Sequence, residues 1–247
     1  MKTKRIYPVK RQLIDERDYQ LMSILNVHAT VKLPKMIDLR NLCPHVFDQG
    51  QLGSCTANAG VAAREMLNKL PVTLSRLFQY YNERLIENDI TKDGGAQMRD
   101  IGNAITTYGI CLESTCPYDI TKFENKPSPQ AYTEALAYKI ISYYSVPDLN
   151  GIKQVLALKQ QPVLIGIDVY SSFESATVAK TGIVPLPKKS ESMLGGHAIC
   201  AVGYDDTKKW LICRNSWGET WGDKGYFYLP YTYVSKKYAY DFWCLQN

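Results

Sequence analysis

Between Asp48 and Ala59 the chain reads Asp48-Gln49-Gly50-Gln51-Leu52-Gly53-Ser54-Cys55-Thr56-Ala57-Asn58-Ala59, and this stretch constrains the rest more than any other. Gly50 and Gly53 mark a turn. After Cys55 come helix formers with apolar side chains at Val61, Ala62, Met66 and Leu70, the spacing of one helix face. The pattern predicts a helix from Gly53 to about Lys69, stopped by Pro71. A thiol on the first turn of a helix meets unpaired backbone N–H groups and the positive end of the helix dipole. Both favour the thiolate, which is the nucleophilic form of cysteine. Taken alone, a cysteine is also a small hydrophobe of the kind that cores commonly bury. Partners elsewhere in the chain therefore decide between the two readings.

Two partners stand downstream. Gly195-Gly196-His197-Ala198-Ile199-Cys200-Ala201-Val202-Gly203-Tyr204 reads as an apolar strand with a histidine at its entry. Arg214-Asn215-Ser216-Trp217-Gly218, followed by Trp221-Gly222, ends a second apolar strand with an asparagine. His197 stands 142 positions after Cys55, and Asn215 stands 160 positions after it.

Together these motifs resemble the papain-like cysteine peptidases, in which His and Asn follow the Cys by about 130–150 residues. The likeness runs from about Leu33 to the C-terminus. It implies an α+β, papain-like fold: a helical left domain, a strand-rich, barrel-like right domain, and an active site in the cleft between them. It implies Cys55 as thiolate, His197 as its imidazolium partner and Asn215 as the group that orients the histidine. Gln49, six residues before Cys55, would donate to the oxyanion beside the backbone N–H of the nucleophile. Gly53, Ser54, Gly94, Gly95, Gly196 and Trp217 would contact substrate, Gly95 by presenting bare backbone to an extended peptide. Trp217 would also shield the His–Asn hydrogen bond from water. The implied substrate is a protein or peptide, with no metal and no cofactor.

Three departures from the family matter. Thr56 replaces the aromatic residue that usually follows the nucleophile. Gly195-Gly196-His197 resembles the cathepsin B branch, whose exopeptidase activity depends on an occluding loop with paired histidines. No histidine lies between His45 and His197, so cleavage within chains is expected. The cystine usual in secreted members would join the positions held here by Leu52 and, approximately, Lys92. With seven cysteines and no apolar signal region near Met1, the expectation is a cytoplasmic protein or one released without a conventional signal.

Composition bounds the rest. A chain of 247 residues with 45% hydrophobic and 21% charged residues is a globular protein of one large or two small domains. Its net charge of +5 is spread along the chain and gives no case for nucleic acid. No apolar run approaches the roughly 20 residues that span a bilayer. Nothing in the sequence bears on oligomeric state.

The chain divides into an N-terminal extension or short pro-segment (1–32), a helical half (33–125) and a strand-rich half (126–247). The extension is too short for the family's usual folded propeptide, and packing on the surface is the expectation for it rather than a place in the cleft. Helices are predicted over Arg76–Asn88, capped by Ser75, over Gln97–Tyr108, stopped by Gly109, near Gln130–Tyr138 and over Asp148–Gln160. Strands are predicted over Ile140–Val146, Pro162–Val169, His197–Tyr204, Trp210–Asn215 and Gly225–Leu229. By the resemblance, the floor of the main specificity pocket comes from the tail around Tyr238–Phe242. His28 and His45 read as ordinary polar residues, Cys200 and Cys213 as packing, and Trp221 and Tyr226 as fold markers. Cys111 and Cys116 match neither a zinc nor a redox spacing.

Two other functions fit a Cys–His pair: an amide hydrolase or acyltransferase acting on a non-protein substrate, and an inactive binding scaffold. Gln49, Trp217 and Gly94-Gly95 argue against the first. Retention of Cys55, His197, Asn215 and Gln49 argues against the second.

Overall fold

The computed structural model describes residues 5–13, 15, 16, 18–20 and 32–247. A short strand, β1 (Met36–Asp38), precedes the helix that carries the thiol, α1 (Cys55–Asn68). Two more helices, α2 (Arg76–Ile86) and α3 (Met98–Tyr108), complete the helical half. Ser75 caps α2 by accepting from the Phe78 N–H at 3.0 Å, an interaction worth about 1 kcal/mol. Gly109, at φ +75°, ends α3. Every residue of α1 from Cys55 to Met66 is buried, so α1 is the central rod of the molecule rather than a surface helix.

The second half contains α4 (Pro129–Ala135), β2 (Ser142–Ser145), α5 (Leu149–Gln154), β3 (Val163–Tyr170), β4 (Met193–Asp205), β5 (Trp210–Arg214), β6 (Tyr226–Pro230) and β7 (Ala239–Gln246). The strands form one antiparallel sheet in the order β2-β7-β3-β4-β5-β6, with β1 on β4. Seven of the eight residues of β3 are buried, as is β4 from Gly196 onward. That explains their continuous apolar runs: both faces of these strands are covered, so no polar alternation is required. Cys200 sits at the contact between halves, its thiol donating to the Ala59 carbonyl of α1 at 3.2 Å.

Two strands escaped the sequence pattern. β1 belongs to the part expected to be helical, yet it pairs with β4 from Met36↔Asp205 to Asp38↔Gly203. β7 enters the sheet between β2 and β3. Its residues, Ala-Tyr-Asp-Phe-Trp-Cys-Leu-Gln, lack a two-residue alternation because Ala239, Tyr240, Phe242, Trp243, Cys244 and Leu245 are all buried. The helix expected over Asp148–Gln160 is α5 followed by a wider turn over Val155–Lys159, with Ile152, Val155 and Leu156 buried as the spacing implied.

The N-terminal extension is where expectation and structure part. Residues 5–13 run along the junction of the two halves, over Cys55 and His197, and not over the outer surface. The Tyr7 carbonyl accepts from the Gly196 N–H, and the Val9 N–H donates to the Gly196 carbonyl, both at 3.1 Å. Pro8 thereby bridges Gly196 in the parallel sense. Farther along, Gln12 donates its N–H to Asp241 at 2.9 Å, and Asp18 pairs with Arg99 at 2.6 Å. Backbone-to-backbone pairing of this kind leaves no side-chain signature, which is why composition could not locate the segment.

Candidate active site

Cys55 stands at the start of α1, with Ser54 as the preceding cap residue. The backbone of Ala198, the residue after His197 on β4, lies close enough to the Cys55 sulfur to favour its charged form against burial. Helix start and strand entry are thus brought to one point, across 142 positions of sequence. The imidazole of His197 bonds through Nε2 to Asn215 Oδ1 at 2.8 Å, and the same oxygen accepts from the Ser216 N–H at 2.9 Å. Asn215 is held in turn by its own N–H, which donates to the Gly225 carbonyl at 3.0 Å. His197 Nδ1 is buried with no hydrogen-bond partner among the described residues.

Trp217 stacks on His197, centroids 5.1 Å apart and planes at 29°. It is fixed from behind by Trp221 at 4.8 Å and Phe173 at 5.5 Å, both edge-on. The indole covers the imidazole and keeps water from its neighbourhood, where a lower dielectric strengthens the bond to Asn215. Trp221 is a packing residue of this aromatic group.

Gln49 is buried. Its side-chain amide donates to the Leu52 carbonyl at 2.9 Å and accepts from the Ser216 hydroxyl at 2.6 Å. A primary amide carries two N–H bonds, and the bond to Leu52 uses one of them. Ser216 therefore joins Gln49 to the Asn215 end of the site, a role with no sequence signal beyond adjacency.

The expected substrate contacts separate into two kinds. Gly53, Gly95, Gly196 and Trp217 all touch the N-terminal segment. Gly95 has φ +73°, and a Cβ there would lie 2.5 Å from the Pro8 ring. At Gly196 a Cβ would run into the Val9 carbonyl and the Tyr240 hydroxyl. Arg5 lies over the Trp217 ring at 4.3 Å. Gly94 lines an open space of about 580 Å³ beside residues 7–11 of the segment, shared with Asp168, Gly195 and Tyr240. Tyr240, in the tail, is part of that lining. Ser54 is different: it is fully buried, and its hydroxyl is shared with Tyr118 and Asn58 rather than turned to the cleft. His45 packs edge-on to Phe47, while His28 lies outside the described residues. All seven cysteines are free thiols.

Burial governs the electrostatics of the pair. Burial pushes the Cys55 thiol up to about 12. Burial, offset in part by Asn215, brings the His197 imidazole down to about 4. Burial of this kind favours neutral thiol and neutral imidazole over the ion pair, because each charged form has lost its water.

A second buried network lies beneath α1 and was not anticipated. Thr56 donates to Glu83 at 2.6 Å and Gln79 donates to the same carboxyl at 2.8 Å. Burial raises Glu83 to about 8. The four-residue spacing of Gln79 and Glu83 on α2 was a signal, but only contact with α1 shows its target.

Residues 33–238 match the papain family cysteine protease family. The match begins after the N-terminal extension. An uncharacterized peptidase C1-like protein of Acanthamoeba polyphaga mimivirus is 41% identical, covering 97% of this chain and 84% of that protein. Cysteine proteinase 3 of Entamoeba histolytica is 30% identical over 83% of this chain and 65% of its own length. Among solved structures, xylellain, a cysteine protease from Xylella fastidiosa, superposes with a TM-score of 0.88 at 36% identity, covering 98% of this chain and 96% of that one. With the helix-borne thiol, the strand-borne histidine and the asparagine behind it already in place, the chain belongs to the papain family of cysteine proteases.

Proposed function

We propose that this chain is a latent cysteine endopeptidase whose own residues 5–13 fill the cleft until they are displaced. Cys55 is the nucleophile, His197 the acid–base partner, Asn215 its orienting group and Gln49 an oxyanion donor. The observation that carries this reading is the histidine held at Nε2 by Asn215, with its other nitrogen unpartnered among the described residues, in the site where Cys55 meets β4. Once the segment leaves and water returns, the cost of charge separation falls, and thiolate and imidazolium stabilise each other.

The thiolate attacks the scissile carbonyl carbon, and the developing oxyanion takes the spare N–H of Gln49 and a backbone N–H at the start of α1. Collapse of the tetrahedral intermediate breaks the C–N bond, and the imidazolium protonates the departing amine. His197, neutral again, takes a proton from water, which attacks the thioester and frees the acid and the thiol. Asn215 keeps the ring in register through both halves.

Support for internal cleavage comes from the path of the segment. A continuous peptide crosses the cleft from Arg5 on Trp217, past Tyr7 beside His197, to Arg11 beside Asp168. The cleft thus accepts chain on both sides of Cys55. The test is turnover of an unspecific fluorogenic peptide, with labelling by an epoxide thiol inhibitor, for wild type and Cys55→Ala. Inhibitor-sensitive turnover that the variant lacks is the expected result. Neither turnover nor labelling, in a chain whose segment has been loosened, would leave an inactive scaffold.

A further inference from the structure

Asp168 lies on β3 opposite Gly196, with its side chain 5% exposed. Its Oδ2 accepts from Arg11 Nη2 at 2.7 Å, while Oδ1 is buried with no hydrogen-bond partner among the described residues. The same Nη2 also donates to the Lys237 carbonyl. The guanidinium lies over the face of Tyr240, 4.4 Å from the ring centroid. A carboxylate this deep is costly without a cation, and the cation present is supplied by the segment that fills the cleft. When that segment leaves, Arg11 leaves with it. Asp168 then faces the cleft with one oxygen already unfilled, beside an aromatic face and a free carbonyl.

We propose that Asp168, the Tyr240 ring and the Lys237 carbonyl form a substrate subsite for a basic side chain, which Arg11 occupies in the latent chain. The inference rests on the peptidase reading above and names the substrate class: peptides with arginine, then lysine, at the residue that enters beside Gly94 and Tyr240. Arginine outranks lysine because the subsite offers two carboxylate oxygens, a carbonyl and an aromatic face. A planar group with five donors meets these together, and an ammonium does not. Asp168 and Tyr240 are specificity-determining residues; neither takes part in bond making. The segment reads accordingly as a pseudosubstrate in its side chain, though its backbone pairs with Gly196 in the parallel sense.

The subsite can be probed without turnover. Peptidyl epoxides that differ only in carrying arginine, lysine, leucine or phenylalanine, scanned through each position, are reacted with full-length Tyr7→Ala/Val9→Ala/Arg11→Ala protein, in which the contacts over His197 are loosened as well. That background leaves the subsite empty. The rate of Cys55 modification is read by mass spectrometry. At one position, arginine should be favoured over leucine by about tenfold or more, the size of one charge-assisted pair. Adding Asp168→Asn to that background should bring the ratio to near one, with a cooperative urea transition as the control for an intact fold. Asp168→Glu should keep the preference for basic probes. A leucine preference that Asp168→Asn leaves unchanged overturns the proposal, as does failure of the arginine probe to react when the leucine probe reacts. If both fail to react in this opened background, the peptidase reading falls and the subsite that rests on it falls with it. Peptide turnover is assayed alongside. Turnover with a leucine preference refutes the subsite and spares the peptidase, whereas arginine-selective labelling without turnover does the reverse.

Discussion

The ring of Tyr7 stands edge-on to the imidazole of His197, with centroids 6.0 Å apart and planes at 84°. Its hydroxyl donates to Glu174, and its ring also meets Trp217 at 6.1 Å. One side chain from the N-terminal segment thereby covers the histidine, the tryptophan that shields it and the approach to Cys55. The proposed latency would depend on these contacts.

Loosening those contacts should raise activity. Tyr7→Ala with Val9→Ala removes the ring over His197 and a buried valine side chain, which together stabilise the closed state by at least about 1.5 kcal/mol. Turnover of a fluorogenic peptide by the double variant should exceed wild type by about tenfold or more. Equal rates would show that the segment does not gate the site.

The pH dependence of thiol reactivity should differ between the two states. In the closed chain burial holds Cys55 near 12 and His197 near 4, so at pH 6–10 the thiol is protonated and the imidazole neutral. The thiolate fraction then rises about tenfold per pH unit, with no plateau below pH 10. Iodoacetamide labelling of wild-type Cys55 should follow that slope. The Tyr7→Ala/Val9→Ala variant should label faster at pH 6 and level off with rising pH, as an ion pair does.

Gln49→Ala removes the spare amide N–H and the bonds to Leu52 and Ser216. Turnover should fall by about 10²–10³. Stability should fall by about 1–2 kcal/mol from the two lost internal bonds, read by urea unfolding. Unchanged turnover would remove Gln49 from the oxyanion site.

Three of the carboxyls that burial raises contribute most to the stability profile. Glu65 and Asp100 are raised to about 7 and Glu83 to about 8, each chiefly by burial. Their folded values exceed their unfolded ones, so the folded chain holds these protons to higher pH. The stability they contribute is complete below about pH 4 and is lost as pH rises through 7 to 8. Urea midpoints should therefore drop between pH 5 and pH 9. Glu83→Gln should flatten that drop by about 2 kcal/mol, since an amide cannot ionise yet still accepts from Thr56. A profile identical to wild type would show that Glu83 ionises freely.

The sequence by itself determined the local events and the ordered motifs. Helix starts were legible because Ser75 and the turn before Cys55 are chemical signals within a few residues of the elements they begin. Gly109 marks a stop in the same way. Strands β3 to β6 were legible as apolar runs. The motif set around Cys55, His197, Asn215 and Gln49 was legible because each lies in a short pattern of its own.

Only the tertiary structure decided what depends on contact between distant parts of the chain. β7 was hidden because a strand covered on nearly every side carries no alternating pattern, and only pairing with β2 and β3 makes it a strand. The buried Glu83 beneath Thr56, the Ser216 bridge to Gln49 and the carboxylate of Asp168 were hidden for a related reason. A polar residue's partner is set by packing, not by its neighbours in sequence. The position of residues 5–13 was the largest surprise, because backbone bonds to Gly196 are available to any extended segment. Which segment takes them is settled by chain path and by the fit of Tyr7, Val9 and Arg11 into a cleft that exists only after the two halves have packed together.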